Sequence, residues 1–252
     1  MRYFTELAYC GTKYHGWQIQ PNAKSVQGTI EEVLSTLFRQ STSIVGAGRT
    51  DTGVHASYYV AHFDSAKNID TKQLKFKMNC MLPSDISIYN ILEVNHSAHA
   101  RFDAISRTYN YFINNIKHPF GRDLFWDFRQ DLDIELMNEA CALLLGEKDF
   151  TSFSKLHTDV NNNICDLKFA EWGKTTHGYK FEIKANRFLR NMVRAIVGTL
   201  VEIGLGKIEP TEVAEILNKK NRKFAGTSVP AQGLFLSNIE YPQKYKMPAN
   251  KY

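Results

Sequence analysis

The sequence predicts an α+β fold: a largely antiparallel, mixed central sheet with helices packed on it. Three observations lead there. Segments rich in Tyr, Phe, Ile and Val alternate with amphipathic helical stretches. Several strands follow one another directly, as hairpins do. The order β-α-β-β-α-β can be traced loosely twice, with a break near residue 100 and no exact repetition. The expected organisation is therefore an N-terminal half, 1–100, carrying a Gly-rich loop, and a C-terminal half, 101–252, carrying a basic helix, the two forming one continuous catalytic unit.

The elements read in order. RYFTELAY opens as a strand weighted by Tyr3, Phe4, Leu7 and Tyr9 and ends at glycines. Val26, Ile30, Val33, Leu34, Leu37 and Phe38 then fall on one face of a 3.6-residue period, with Ser25 as N-cap. A short strand around 43–45, a Gly-rich loop and the strand SYYVAHF follow. Thr71 is the expected cap of a basic helix, KQLKFKMNCML, stopped by Pro83. ISIYNILEV and SRTYNYFINN read as strands, and IELMNEACALLL as a helix between Asp133 and Gly146. GYKFEIKAN alternates: Tyr179, Phe181, Ile183 and Ala185 share one face, with polar residues on the other. A long helix is expected from Arg187, then a short one at EVAEILN, a strand GLFLSNI and a polar tail.

The chain has 252 residues, with 31 Lys plus Arg against 26 Asp plus Glu, a formal net charge of +5. With 43% hydrophobic and 23% charged residues it is neither disordered nor collagen-like. No apolar run approaches the roughly 18 to 20 residues that cross a bilayer. The opening MRYFTELAYC lacks the apolar stretch of a secretory signal, so a cytoplasmic protein is expected. Cys10, Cys80, Cys141 and Cys165 are scattered without a C-x-x-C pair, which points to reduced, buried thiols. His96 and His99 have H-x-x-H spacing but no third ligand, so no metal is expected. His15, His62, His118, His157 and His177 carry no readable signal, and the run Lys219 to Lys223 reads as a solvated helix end, with a secondary phosphate contact as the alternative.

Three stretches carry chemistry. The first is GAGRTDTGVHA, Gly46 to Ala56. Its glycines put Arg49, Asp51 and His55 on a loop of unusual backbone geometry, where a carboxylate is displayed with little crowding. A hairpin turn with an Asx hydrogen bond is the alternative. The loop opens no helix and is followed by no Gly-Lys-Ser/Thr, so it is neither a dinucleotide fingerprint nor a phosphate loop of the Walker kind. The second is ANRFLRNMVRAIVGTLVEIG. On a helix from Arg187, the residues Arg187, Arg190 and Arg194 share an arc of about 60° with Leu189, Met192 and Val193 opposite. Either this is a solvated basic face, or an anion relieves the mutual repulsion. The third, HARFDAISRTYNYF, mixes Arg101 and Arg107 with Tyr109 and Tyr111 on one strand face. It is either sheet core or a surface that stacks bases and holds phosphates.

At these residues the chain resembles the tRNA pseudouridine synthase A family over nearly its whole length. YCGTKYHGWQIQ, GAGRTDTGVHA, ARFDAISRTYNY, FLRNMVRAIVGTLVEIG and PAQGLFL are similar to that family's successive motifs, in the same order. Cys10, Arg187, Arg190 and the pair Tyr58-Tyr59 depart from its usual pattern.

The resemblance implies a pseudouridine synthase fold and an isomerase of the intramolecular-transferase kind. It also implies a homodimer acting on the anticodon stem-loop of tRNA at positions 38, 39 and 40, without an organic cofactor or metal. Asp51 is then the catalytic carboxylate and Arg194 its partner. Arg49 fills the space left by the flipped nucleotide or holds the displaced strand, Tyr109 stacks on the uracil and Leu189 walls the pocket. Arg101, Arg187 and Arg190 are candidate phosphate contacts. The competing readings are a non-catalytic structured-RNA-binding protein of the same fold and a glycosidase. The glycosidase reading wants a second carboxylate, and no second acidic motif accompanies Asp51.

Overall fold

The computed structural model describes residues 1–155, 162–245 and 247, so His157 lies outside the described residues. In chain order the strands and α-helices are β1 (Arg2–Tyr9), α1 (Val26–Phe38), β2 (Ile44–Gly46), β3 (His55–Asp64), α2 (Thr71–Met81), β4 (Ile86–Val94), β5 (Ser106–Asn114), β6 (Trp126–Asp127), α3 (Ile134–Leu144), β7 (Gly146–Asp149), β8 (Ile164–Thr175), β9 (Gly178–Ala185), α4 (Met192–Gly204), α5 (Glu212–Lys219) and β10 (Leu234–Glu240). The chain clusters into two compact units. One is Met1–Ile105 together with the segment from Phe235 onward; the other is Ser106–Leu234.

In the first unit the strand order is β4-β1-β3-β10. β1 runs antiparallel to both β3 and β4, while β10 joins β3 in parallel through Phe235↔His55 and Leu236↔Ala56. The short β2 pairs antiparallel with the far end of β3, from Ile44↔Phe63 to Gly46↔Ala61. Because β3 has strands on both edges, all but two of its ten residues are buried. Helix α1 forms as its periodicity predicts: Val26, Ile30, Val33 and Leu34 are buried, and the Ser25 hydroxyl accepts the Gly28 amide at 3.1 Å. For α2 the cap is Asp70, whose carboxylate accepts the Gln73 amide at 3.0 Å; Thr71, expected as the cap, is already the first helical residue. A carboxylate in an extended residue satisfies an orphan amide of the first turn, and that position is one residue earlier than expected.

In the second unit β5-β9-β8-β7 run antiparallel throughout, with β6 parallel to β5. β9 alternates as read, with Tyr179, Phe181, Ile183 and Ala185 buried. Trp172 of β8 stacks on Phe181 at 4.9 Å. Asp133 caps α3 by accepting the amides of Glu135 and Leu136. Both units thus mix helices with a largely antiparallel sheet, the α+β class that was expected.

Other expectations are corrected as well. The helix expected from Arg187 begins only at Met192, because Asn191 takes a left-handed conformation at φ 66° and the residues before it are irregular. The shared helical arc of Arg187, Arg190 and Arg194 therefore does not exist; only Arg194 is helical. The strands β7 and β8 were not anticipated. Among the cysteines, Cys141 and Cys165 are buried free thiols, but Cys80 is exposed on α2.

Candidate active site

The Gly-rich stretch forms the connection from β2 to β3, so it is a hairpin, but a long and heavily braced one. Ala47 donates its amide to the Val60 carbonyl at 2.9 Å as the strands part. The braces come from the end of β1 and the segment that follows it. The Trp17 amide donates to the Thr50 carbonyl at 3.4 Å, the Gly53 amide to the Tyr14 carbonyl at 3.3 Å, and the Tyr9 hydroxyl meets Thr50 Oγ1 at 2.9 Å. Gly16 lies at φ 85°, and a Cβ there would collide with the Thr50 carbonyl, which explains a glycine at this point of the opening segment. Within the loop the Val54 amide donates to the main-chain carbonyl of Asp51 at 3.1 Å. Of the loop glycines only Gly53, at φ 78°, uses a left-handed conformation.

On this scaffold Asp51 is half-buried and Arg49 exposed. His55, at the start of β3, is buried; its Nδ1 accepts the Gly11 amide at 3.0 Å and its ring stacks on Phe235 at 4.5 Å. An accepting Nδ1 places the proton of the neutral ring on Nε2. His55 therefore ties together β3, β10 and the bracing segment.

The second unit carries the other candidates. Tyr109 sits on β5 opposite Ile183, half-buried, with Phe188 against it edge to face at 5.1 Å. Tyr111, two residues on, is fully buried and donates its hydroxyl to the Pro230 carbonyl at 2.8 Å; for Tyr111 the core reading is the right one. Leu189 is buried in the irregular segment before α4. Arg194 stands in the first turn of α4, half-buried, with its Nε donating to the Val229 carbonyl at 2.7 Å. Arg187 donates to Asn162 Oδ1 at 3.4 Å, and Arg190 is exposed. In the first unit Arg101 is exposed and lies over the ring of Phe102, itself 73% exposed, at 5.5 Å.

Two parts of this arrangement are not evident in the sequence: Phe188, the ring against Tyr109, and the irregular Val229-Pro230 segment, which holds both Arg194 and Tyr111. Neither carries a composition signal; each depends on an irregular segment meeting a regular one. His99 uses Nδ1 to accept the amides of Arg101 and Phe102, which commits that nitrogen to the turn. Among the described residues no group of three or more His, Cys, Asp or Glu is placed to hold a metal ion, and no helix is long and apolar enough to cross a membrane.

The profile of the tRNA pseudouridine synthase family matches residues 7–103 and 140–242. The chain belongs to the tRNA pseudouridine synthase family. It is 52% identical over 245 residues to the tRNA pseudouridine synthase A of Bacteroides fragilis, covering 96% of this chain and 97% of that one. It is 38% identical over 245 residues to that of Bacillus subtilis, covering 96% and 99%. The matched stretches of the tRNA pseudouridine synthase profile contain the braced loop with Arg49 and Asp51, and Leu189 and Arg194 beside the start of α4. Tyr109 falls between the two stretches.

Proposed function

We propose that this chain isomerises uridine to pseudouridine at positions 38, 39 and 40 in the anticodon stem-loop of tRNA, with Asp51 as the group that begins the reaction. The observation that carries the reading is the braced loop: a half-buried carboxylate on backbone held by Tyr9, Tyr14 and Trp17, in a chain of this family. A fixed anion suits a reaction in which one acidic group must meet one sugar carbon.

The isomerisation breaks the N1–C1′ bond and makes a C5–C1′ bond. The ionised Asp51 either attacks C1′ as a nucleophile or takes the C2′ proton to leave a glycal. In both routes the electron pair of the broken bond leaves with the uracil. The uracil turns, C5 joins C1′, the C5 proton departs and N1 takes a proton. Where the glycal forms, C2′ recovers its proton, and where the ester forms, C5 displaces the carboxylate. Nothing is gained or lost, so the RNA mass is unchanged.

Arg194 is the proposed charge partner that aims Asp51. Its Nε is already committed to Val229, which fixes the plane of the guanidinium. The target nucleotide leaves its stack at a cost of a few kcal/mol, and Arg49 takes the vacated place. Tyr109 stacks on the uracil and assists loss of the C5 proton, while Leu189 walls the pocket. Arg101, Arg187 and Arg190 hold phosphates. A homodimer in the cytoplasm belongs to the same reading.

The test is position-resolved pseudouridine mapping of unmodified tRNA after incubation with the purified chain, with Asp51→Ala alongside. New pseudouridine at positions 38 to 40 with the native chain, and none with the variant, is the expected result. A gel shift with every uridine unchanged turns the reading to a binding protein, and released uracil turns it to a glycosidase.

A further inference from the structure

Three aromatic residues from separate parts of the chain meet beneath the braced loop. Tyr9 ends β1, Trp17 lies in the segment after it and Tyr59 is in β3; all three are buried. Trp17 and Tyr59 stack at 4.2 Å with 29° between their planes, and Tyr9 packs edge-on to Tyr59 at 5.6 Å. A buried phenol needs a partner for its hydroxyl. Tyr59 finds both on one loop residue: its hydroxyl accepts the Gly48 amide at 3.3 Å and donates to the Gly48 carbonyl. The Tyr9 hydroxyl meets Thr50 Oγ1 at 2.9 Å. The two hydroxyls therefore grip residues 48 and 50, on either side of Arg49 and immediately before Asp51. Gly46 permits the approach, because a Cβ there would collide with the Tyr59 hydroxyl and the Trp17 ring.

We propose that Tyr59 is a positioning residue for the isomerisation: its hydroxyl, held in place by the Trp17 stack, fixes the two peptide groups that flank the Gly48 Cα and through them the direction in which Arg49 and Asp51 leave the loop. This rests on the reading of Asp51 given above. Nearby contacts do not duplicate the role. The Ala47 amide belongs to the β2–β3 ladder through Val60, and the Trp17 amide holds Thr50 downstream. Gly48, between them, is gripped by Tyr59 at both its amide and its carbonyl, and so in the peptide groups on either side of it. Catalytic groups tolerate displacements of only about 0.5 Å, so loss of this grip lowers the rate of the chemical step more than it lowers binding.

Tyr59→Phe keeps the stacked ring and removes the hydroxyl. Amide exchange at Gly48 is expected to quicken by about tenfold or more while Ala47 keeps its protection. The kcat on tRNA is expected to fall by about tenfold or more with KM within about threefold of native. Tyr3→Phe serves as control. It removes a phenol that accepts the Ile69 amide at 3.3 Å in the same sheet, and it leaves kcat and Gly48 exchange unchanged. Native kcat in Tyr59→Phe overturns the proposal, whether or not Gly48 exchange quickens; a KM rise at constant kcat overturns it too. A native chain that makes no pseudouridine, or an Asp51→Ala variant with native turnover, instead overturns the functional reading, and the exchange measurement still reports on the grip.

Discussion

Arg194 and Val229 hold each other by two reciprocal bonds: the arginine Nε donates to the Val229 carbonyl at 2.7 Å, and the Val229 amide donates to the Arg194 carbonyl at 3.2 Å. The next residue, Pro230, accepts the Tyr111 hydroxyl at 2.8 Å. One short irregular segment thus sets the orientation of a helical arginine and is itself tied to the strand carrying Tyr109. The guanidinium is planar, so fixing Nε also fixes where its terminal nitrogens sit.

Asp51→Asn is expected to abolish turnover while keeping tRNA affinity within about tenfold, roughly 1.4 kcal/mol. The side chain keeps its size and loses its charge, and both routes to pseudouridine need the anion. Single-turnover assays at saturating tRNA, beside a filter-binding isotherm, separate the two quantities.

Arg194→Lys retains the positive charge but not the planar fork. An ammonium that reaches the Val229 carbonyl no longer projects two further nitrogens in a fixed plane. A drop in kcat of at least about tenfold, ~1.4 kcal/mol on the barrier, is expected. Native kcat in this variant excludes a role for the fork.

Tyr109 and Tyr111 share a face of β5 but differ in burial, and different tasks are expected of their phenols. Tyr111→Phe leaves the buried Pro230 carbonyl without its donor and is expected to cost about 1 kcal/mol of stability, visible as a lower urea midpoint with unchanged kcat. Tyr109→Phe is expected to do the reverse, lowering kcat at constant midpoint. An exchange of these two outcomes between the variants would refute the assignment.

If Arg101, Arg187 and Arg190 each neutralise one phosphate, the log–log dependence of tRNA affinity on salt has a slope of about −2 to −3 from these residues alone. Each Arg→Ala change is then expected to flatten the slope by a little under one. Titrations at several salt concentrations read it directly.

His62 gives the first unit a pH dependence. It is buried on β3, accepts the Ala100 amide at Nδ1 at 3.2 Å, and packs against the His99 ring at 4.7 Å. Burial, reinforced by the nearby Arg2 and His99, takes its pKa from 6.5 down to about 4. Between those values the unfolded chain binds the proton that the folded chain refuses. Stability is therefore complete above the upper value and declines as the pH falls through the interval, by up to roughly 3 kcal/mol. Urea unfolding at pH 7, 5.5 and 4.5 should show this decline, and His62→Asn, which keeps an acceptor without a titrating ring, should flatten it.

The sequence made some of this legible and hid the rest for physical reasons. β9 could be read because its alternation is unbroken from Tyr179 to Ala185. β8 could not, because a register shift between Leu167 and Phe169 changes its phase: Cys165 and Leu167 are buried before the shift and Trp172 after it, so no single alternation runs through the strand. The start of α4 was misplaced because the apolar periodicity continues upstream through Leu189, while Asn191 adopts a left-handed conformation that periodicity does not register. In the candidate site, the glycines around Asp51 announced a special loop. The rings beneath it stayed invisible, since Tyr9 and Tyr59 meet through the pairing of β1 with β3 and Trp17 reaches them from the segment after β1.

The parallel pairing of Phe235 with His55 also bears on how the polypeptide is made. A ribosome delivers Met1–Ile105 first and the whole of Ser106–Leu234 next, before the strand that completes the earlier piece emerges. Until then the beginning of β3 has a vacant edge and His55 lacks the ring it stacks on. The nascent protein must therefore carry an unfinished sheet through most of its synthesis, and a transcript cut short upstream of Phe235 yields a chain whose first unit cannot close.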